Sequence, residues 1–272
     1  MKADIKAKNP VRLLYASGRQ LSGCLQQPGS VQDLVYTALR KSIINLNLAP
    51  GTAVSEKEIA RLYQVSRTPV REAFIHLSRE GLVQVIPQKG TLVSLIDLCR
   101  VNQEFFLREN LELAVQAPFL RNSRAGHFAR LEKLVETQAE DLAQGKYIEF
   151  INHDDAFHHI FFNAAGQELS WKVLETLCGH YHRVRLLTAW FQDIAQDIIH
   201  QHGSLLKALR EKDLEAAREL LKKHLNQLRF EEPRLKEKFP RYFSVPGEQN
   251  SFEIDFGGIP LLEALGLRNL TS

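Results

Sequence analysis

The feature that most constrains the fold of this chain is the order of residue periodicities between residues 31 and 95. Apolar residues recur at three- and four-residue intervals in VQDLVYTALRKSI, which indicates an amphipathic helix. A second short helix is predicted in SEKEIARLY, where Ser55 and Glu58 have the spacing of a capping box. A third helix follows in SRTPVREAFIHLSREG, and two β-prone runs, LVQVI and TLVSL, then flank PQKG as a hairpin.

Helix, helix, turn, helix and hairpin is the order of a winged helix-turn-helix domain, which we assign to residues 31–96. Arg67 and Arg71 lie four residues apart at the start of the third helix, so they share a face at the end whose amides favour phosphate. An α-helix fits the major groove, where guanidinium can bind guanine or phosphate through two hydrogen bonds. Lys89 at the hairpin tip can reach an adjacent groove or the DNA backbone. The spacing alone leaves open that these are solvated charges on a small packing domain.

The positive charge of the chain is concentrated at its front. The formal net charge is +3, but residues 1–94 contain 13 Lys and Arg against 6 Asp and Glu, a balance of +7, and the remainder balances at −4. This asymmetry suggests a polyanion-binding N-terminal part joined to a body with another task. A solvated surface can also carry such a charge.

Composition and local sequence argue against several other classes of protein. Hydrophobic residues are 44% and charged residues 25% of the chain, so disordered, collagen-like and coiled-coil structures do not fit most of it. No apolar run approaches the roughly 18 residues of a membrane span, and the start of the chain lacks the apolar region of a secretory signal, so we expect no membrane partner. Cys24, Cys99 and Cys178 have neither metal-type nor redox-type spacing, which favours a reducing compartment such as the cytoplasm.

Residues 97–230 are predicted to form an all-α bundle of six or seven helices, which makes the chain mainly α. The helical patterns span 99–122, 125–144, 146–165, 169–191, 193–211 and 213–230. Residues 1–30 show no sustained periodicity and are interpreted as a mobile N-terminal arm. Residues 231–272 form a C-terminal tail whose apolar end we expect to dock on the body or on a neighbouring subunit.

Histidine placement in the body indicates a metal site. Asp154 and His158 are four residues apart and face the same way on a helix. His202 and His224 are each eleven residues from Asp213, and residues equidistant from the turn of an antiparallel helix pair lie side by side. One carboxylate and three imidazoles suit a divalent transition metal such as zinc, nickel or manganese. With ten histidines in the chain, many pairings exist, and a lone histidine is more often a core or surface residue.

The stretch 31–94 resembles the DNA-binding domain of the GntR family of bacterial transcription regulators. The resemblance is carried by SRTPVREA, by the following LSREGLV and by the Gly-Thr pair of the wing. It implies DNA contacts from the second helix, the recognition helix and the wing. The implied residues are Lys57, Arg67, Thr68, Arg71, Gln88, Lys89 and Gly90. Many members carry Arg where this chain has Lys57, which keeps the charge but loses the bidentate fork.

The body is similar to the FCD effector domain of the FadR subfamily of these regulators. The similarity is carried by ENLELAVQAPFL, by D-x-x-F-H at Asp154, by H-x-x-L-L-x-A-L at His202, and by Asp213 and His224. Many members bind a metal through one Asp and three His, which implies Asp154, His158, His202 and His224 as ligands, zinc being the first choice. The positions left open are then available to water or to the carboxylate of a small effector.

The same resemblance implies effector contacts from Arg108, Arg183 and Arg185, since a cationic partner suits an organic acid. Surface ion pairs are the alternative for each of the three. The histidines off the motif are interpreted as structural or solvent-facing. These are His153, His159, His180, His182 and His200.

Together the resemblances imply a transcription regulator, most simply a repressor, that works as a homodimer on a near-palindromic double-stranded operator and responds to a small carboxylate effector. Two-fold symmetry is expected because one recognition helix covers only a few base pairs. No catalytic residue is assigned. Two alternatives stay open: an HD-type metal-dependent phosphohydrolase built on His153 and Asp154, and a structural nucleoid-binding protein without a buried metal.

Overall fold

The computed structural model describes residues 30–86 and 90–244, without the side chains of residues 229 and 230. The described residues divide into two units, one formed by residues up to 97 together with residues 241–244, and one formed by residues 98–240. The arm predicted for residues 1–30, apart from Ser30, and the tail beyond residue 244 lie outside the described residues.

The first unit is a winged helix-turn-helix, which confirms the predicted fold class. Its elements are α1 (Val31–Ile44), β1 (Ala53–Val54), α2 (Glu56–Tyr63), α3 (Arg67–Arg79), β2 (Val83–Ile86) and β3 (Gly90–Val93). Ser30 forms a capping box with Asp33 at the start of α1, and Ser55 Oγ accepts the Glu58 amide at 3.1 Å at the start of α2. Gln64 ends α2 in the left-handed region, with φ of 56°, and makes the tight turn into α3 possible.

The predicted hairpin is present as β2 and β3, which pair antiparallel with Val83 opposite Val93 and Ile86 opposite Gly90. Strand β1 was not predicted; it pairs with β3 and completes a sheet of order β1-β3-β2. Two residues are too few to show the alternation by which strands are recognised. The turn residues 87–89 lie outside the described part of the chain.

The core of this unit lies between α1 and α3. Val35 and Leu39 from α1 and Val70 and Leu77 from α3 are fully buried, as the helical periodicity predicts. Burying an aliphatic side chain of this size contributes about 1.5–3 kcal/mol, so this apolar contact stabilises α3 in its orientation.

The second unit is all-helical over its described residues, again as predicted. Its helices are α4 (Leu98–Asn122), α5 (Ala125–Ala143), α6 (Tyr147–Ala164), α7 (Glu168–Leu177), α8 (Gly179–Ala189), α9 (Gln192–Arg210), α10 (Leu214–Phe230) and α11 (Glu232–Lys238). The long helix α4 packs against α6, α8 and α10, while α5 packs against α6 and α9. None of the described helices combines the length and apolar character needed to cross a membrane.

The single helix predicted over 169–191 is two helices, α7 and α8, which meet at Cys178. The break has a cause in tertiary structure: the buried Glu104 carboxylate of α4 accepts the Tyr181 amide at 2.7 Å, in the first turn of α8. A carboxylate at this position satisfies a free amide and interacts favourably with the helix dipole.

The first part of the predicted tail is ordered against the protein. Helix α11 buries Leu235, and Phe239 follows it as a second buried apolar side chain. Residue 243 then returns to the first unit, where Ile96 and Phe243 form a parallel bridge. The Ile96 amide donates to the Tyr242 carbonyl at 2.7 Å, and the Ser244 amide donates to the Ile96 carbonyl at 3.0 Å.

Candidate functional site

The start of α3 presents the groups expected of a recognition helix. Ser66 makes no side-chain cap hydrogen bond, and the first turn of α3 contains no acidic residue, so its amides remain available for a phosphate. Arg67 and Thr68 are exposed there. Arg71 is also exposed, one turn further, and its Nε lies 3.2 Å from Glu56 Oε1 of α2. A DNA phosphate bound to Arg71 has to compete with that surface ion pair.

The remaining residues predicted to contact DNA lie on α2 and in the wing. Lys57 is exposed on the first turn of α2. Gly90 is exposed at the start of β3 with φ of 110°, a backbone conformation that side-chain-bearing residues rarely adopt. Gln88 and Lys89 lie outside the described residues.

The structure brings the four predicted metal ligands together from three helices. Asp154 and His158 come from α6, His202 from α9 and His224 from α10, and one ligand atom of each lies within 4.8 Å of all the others. His158 Nε2 is 3.2 Å from His224 Nε2, and His202 Nε2 is 3.4 Å from Asp154 Oδ1. All four residues are buried.

Each of the three imidazoles has its Nδ1 atom against an oxygen, which leaves Nε2 directed at the centre of the cluster. The oxygens are Glu112 Oε2 for His158 at 2.5 Å, Gln138 Oε1 for His202 at 2.9 Å and Gln201 Oε1 for His224 at 3.0 Å. An oxygen acceptor requires the proton on Nδ1, so a neutral imidazole presents an unprotonated Nε2 lone pair. Carboxylate or amide oxygens that fix the outer nitrogen are a regular feature of histidine metal ligands.

The orientation of the Gln138 amide is fixed independently. Its Nε2 donates to Asp154 Oδ1 at 3.4 Å, so its Oε1 faces His202. The centre therefore contains a carboxylate and three nitrogen lone pairs, and His202 Nε2 has no hydrogen-bond partner despite its complete burial. Facing imidazole lone pairs with no donor between them are favourable when a cation lies between them.

The protonation states of the cluster suit a cation. Burial lowers the pKa of His202 to about 3, and burial together with the neighbouring His202 and His158 holds the pKa of His224 well below its ordinary range. Burial alone would raise the pKa of Asp154, but the Arg185 guanidinium and the imidazoles hold it well below its ordinary range. Near neutral pH the His202 and His224 rings are uncharged and Asp154 carries its negative charge.

A small pocket opens beside the cluster within the helical unit. Its polar lining includes Arg108, Asp154, Tyr181, Arg185 and His224, and its apolar lining includes Ile198 and Leu225. Two of the three predicted effector-binding arginines therefore line one cavity together with two of the predicted metal ligands.

Arg183 does not line this pocket, contrary to the prediction that it does. Residues two apart on a helix point to nearly opposite sides, so α8 directs Arg183 away from the cavity that Arg185 faces. Arg183 is fully buried, and burial lowers its pKa to about 10 although the nearby Glu104 acts in the other direction.

The five off-motif histidines predicted to be structural or solvent-facing lie outside the cluster. His153 Nδ1 lies 2.6 Å from Asp141 Oδ2, so His153 does not join Asp154 as a metal pair of the phosphohydrolase type. His159 contacts Glu168 at 2.9 Å and stacks on Trp171. The remaining three are His180, which is buried, His182, whose Nδ1 lies 3.4 Å from Asp155 Oδ2, and His200, which is exposed.

Sequence reasoning missed Glu112 and Gln138, which hold His158 and His202. For Glu112 a signal was present, because polar residues recur every fourth position along α4. They are Arg100, Glu104, Arg108, Glu112 and Gln116, and all are buried. Gln138 stands alone on α5, and only the tertiary structure identifies it.

The chain combines a winged helix-turn-helix, whose recognition helix exposes arginines, with an all-helical unit that contains a polar pocket. This combination is typical of the class of ligand-responsive DNA-binding regulators. Comparison with known families agrees with this class. The model of the gntR family of bacterial regulatory proteins matches residues 32–93, and the model of the FCD domain matches residues 104–227.

Individual relatives extend over most of the chain. The HTH-type transcriptional repressor RspR of Escherichia coli (strain K12) is 31% identical over 198 residues, which are 73% of this chain and 87% of that protein. An uncharacterized HTH-type transcriptional regulator in an unstable DNA locus of Streptomyces ambofaciens is 34% identical over 217 residues, with 78% and 89% covered. The solved structure of E. coli McbR/YncC shares the fold, with a TM-score of 0.65 at 22% identity over 78% of this chain and 99% of that one. The chain belongs to the GntR family and is an HTH-type transcriptional regulator with an FCD domain.

Proposed function

We propose that the protein is a metal-dependent repressor whose operator affinity is controlled by a small organic acid bound in the helical domain. The observation that carries this proposal is the inward orientation of three Nε2 atoms around Asp154, with every Nδ1 atom bound to an oxygen. This arrangement leaves a buried set of acceptors that a divalent cation would satisfy.

The metal ligands in this proposal are Asp154, His158, His202 and His224. Three nitrogen donors and one oxygen donor favour zinc, with nickel and manganese as alternatives. When bound, the metal supplies a Lewis-acid position for water or for an effector carboxylate. Glu112, Gln138 and Gln201 keep the imidazoles in the ligating orientation.

The effector is proposed to be a small carboxylate. Arg108 and Arg185 supply charged donors beside His224 in the pocket, and a guanidinium pair suits a carboxylate. An effector can change operator affinity only if it binds the DNA-competent and DNA-incompetent arrangements differently.

The DNA-binding domain is proposed to span residues 31–96 and the effector domain residues 97–230. DNA contacts are proposed for Lys57, Arg67, Thr68, Arg71, Gln88, Lys89 and Gly90. We further propose a cytoplasmic homodimer on a near-palindromic operator, because a single recognition helix contacts too few base pairs for adequate specificity.

Chelation tests the metal. A ligand that binds only the folded state stabilises it by about 2.7 kcal/mol at a hundredfold excess over Kd, so chelation should lower the melting temperature and zinc should restore it. His202→Ala should abolish this response, whereas His200→Ala, an exposed position on the same helix, should retain it. Absence of bound metal by elemental analysis, with identical melting curves for chelated and zinc-loaded protein, would contradict the proposal.

Operator selection tests the regulator. Genomic fragments that the purified protein retains should share a near-palindromic site, and their neighbouring genes should indicate which organic acids to assay. Small acids from that pathway should then change the fraction of the fragment bound. Metal-stimulated turnover of a generic phosphatase substrate, without any retained fragment, would instead favour the phosphohydrolase alternative.

A further inference from the structure

Arg185 binds the carboxylate that belongs to the proposed metal site. Its Nη2 atom donates to Asp154 Oδ2 and its Nη1 atom donates to Asp155 Oδ1 at 2.6 Å. Asp154 Oδ2 is also 3.7 Å from His158 Nε2. The same oxygen is therefore directed both to the guanidinium and to the position where a cation would contact the imidazoles.

Carboxylates pair with both guanidinium groups that line the pocket. Two guanidinium groups, Arg108 and Arg185, face three carboxylates, Asp154, Asp155 and Glu112, within ion-pair distance. The Arg185 Nη2 atom is therefore engaged by Asp154 and not free for an anion.

Arg108 contributes a second donor that is already available. Its Nε atom binds Glu112 Oε1 at 2.5 Å, while its Nη2 atom is buried, makes no hydrogen bond and lies 4.0 Å from Asp154 Oδ2. Both guanidinium groups lie against the ring of Tyr181, at 5.6 Å for Arg108 and 5.9 Å for Arg185, and all three side chains line the pocket.

We propose that Arg185 couples the cation site to the anion site. A cation bound at Asp154 takes over the negative charge that Arg185 neutralises, and the Arg185 Nη2 atom then binds the effector carboxylate together with the Arg108 Nη2 atom. Asp155 holds Arg185 at the pocket through Nη1 during this exchange. The pocket is thus selective for anions only when the cation site is filled. This inference rests on the proposed metal-dependent function.

Arg185→Gln is expected to change the affinity for the metal and the affinity for the carboxylate in opposite directions. Arg185 competes with the cation for Asp154, so Arg185→Gln should bind the metal more tightly. The same substitution removes a donor to the anion, so carboxylate binding should weaken. A residue that merely positioned Asp154 for the metal would give the opposite result for metal affinity.

The experiment measures Zn²⁺ affinity by competition with a colorimetric chelator, and succinate affinity by calorimetry on zinc-loaded and stripped protein. Arg185→Gln should bind Zn²⁺ about tenfold more tightly than wild type, a coupling in the usual range. The control is Arg210→Gln, which removes the same charge from a half-exposed pair with Glu132 on the same unit and should leave Zn²⁺ affinity unchanged. In wild type, saturating succinate should tighten Zn²⁺ binding about tenfold, and Zn²⁺ should tighten succinate binding by the same factor.

Equal or weaker Zn²⁺ binding by folded Arg185→Gln would overturn the coupling and leave the metal site standing. If that variant fails to fold, the wild-type protein provides the test. Succinate that binds stripped and zinc-loaded wild type with equal affinity would overturn the coupling. If succinate binds neither form, the Zn²⁺ affinity of Arg185→Gln decides. Failure of wild type to bind Zn²⁺ would overturn the proposed function itself.

Discussion

Lowering the pH from 7 to 5 should destabilise the metal-free helical unit, and the share that His202 contributes can be calculated. Burial lowers the pKa of His202 to about 3, against about 6.5 in the unfolded chain. Between these pH values the unfolded state binds a proton that the native state does not bind. The free energy of unfolding therefore falls with falling pH, by about 1.4 kcal/mol per pH unit. At pH 5 the loss from His202 alone is roughly 2 kcal/mol, and the lowered pKa of His224 acts in the same direction.

Urea unfolding of the chelated protein at both pH values measures this loss. Tryptophan fluorescence is a selective probe because both tryptophans, Trp171 and Trp190, lie in the helical unit. His202→Gln lacks the titrating group, so its loss of stability between pH 7 and 5 should be smaller by roughly 2 kcal/mol. The exposed neighbour variant His200→Gln should lose as much as wild type. Equal losses in wild type and His202→Gln would refute the reasoning.

Three further outcomes are expected. Arg67→Ala or Arg71→Ala should weaken binding to a selected operator by about 1–3 kcal/mol in fluorescence anisotropy, whereas Arg79→Ala at the other end of α3 should not. Glu104→Ala should lower the free energy of unfolding by about 3–5 kcal/mol in urea titrations, because it leaves the buried Arg100 charge without the carboxylate bound at 2.6 Å; a loss below 1 kcal/mol would contradict that role. Light scattering should report a mass near twice 31.1 kDa, and a monomer at micromolar concentration would contradict the dimer.

Those parts of the fold and site that depend on spacing within a helix or across one turn could be predicted from the sequence. A separation of four places Asp154 and His158 on one face of α6. Equal distances from Asp213 bring His202 and His224 together, because α9 and α10 form an antiparallel pair. Both deductions use helix geometry alone, which does not depend on the rest of the protein.

The parts that depend on contacts between distant segments could not be predicted in this way. Gln138 is 64 residues from His202 in sequence, and no local pattern relates the two. The break between α7 and α8 at Cys178 depends on Glu104, 77 residues before the amide that it binds. Arg183 was predicted from the family motif to line the pocket, but its side of α8 faces away from the pocket. The helical spacing between Arg183 and Arg185 would have indicated that both cannot face the pocket.

The buried polar residues that recur every fourth position along α4 form a pattern whose usual interpretation would be wrong here. Opposite charges four residues apart normally indicate a solvated face, where each pair contributes only a few tenths of a kcal/mol. Here Arg108 and Glu112 are buried, while Phe106 on the same helix is 67% exposed. Burying charges is costly unless each is paired, and Glu112 is held by both Arg108 and His158. Paired charges buried on a helix that also buries Phe105 and Phe119 carry a cost that packing alone does not explain. These buried charges point to a ligand site more directly than the number of histidines in the chain.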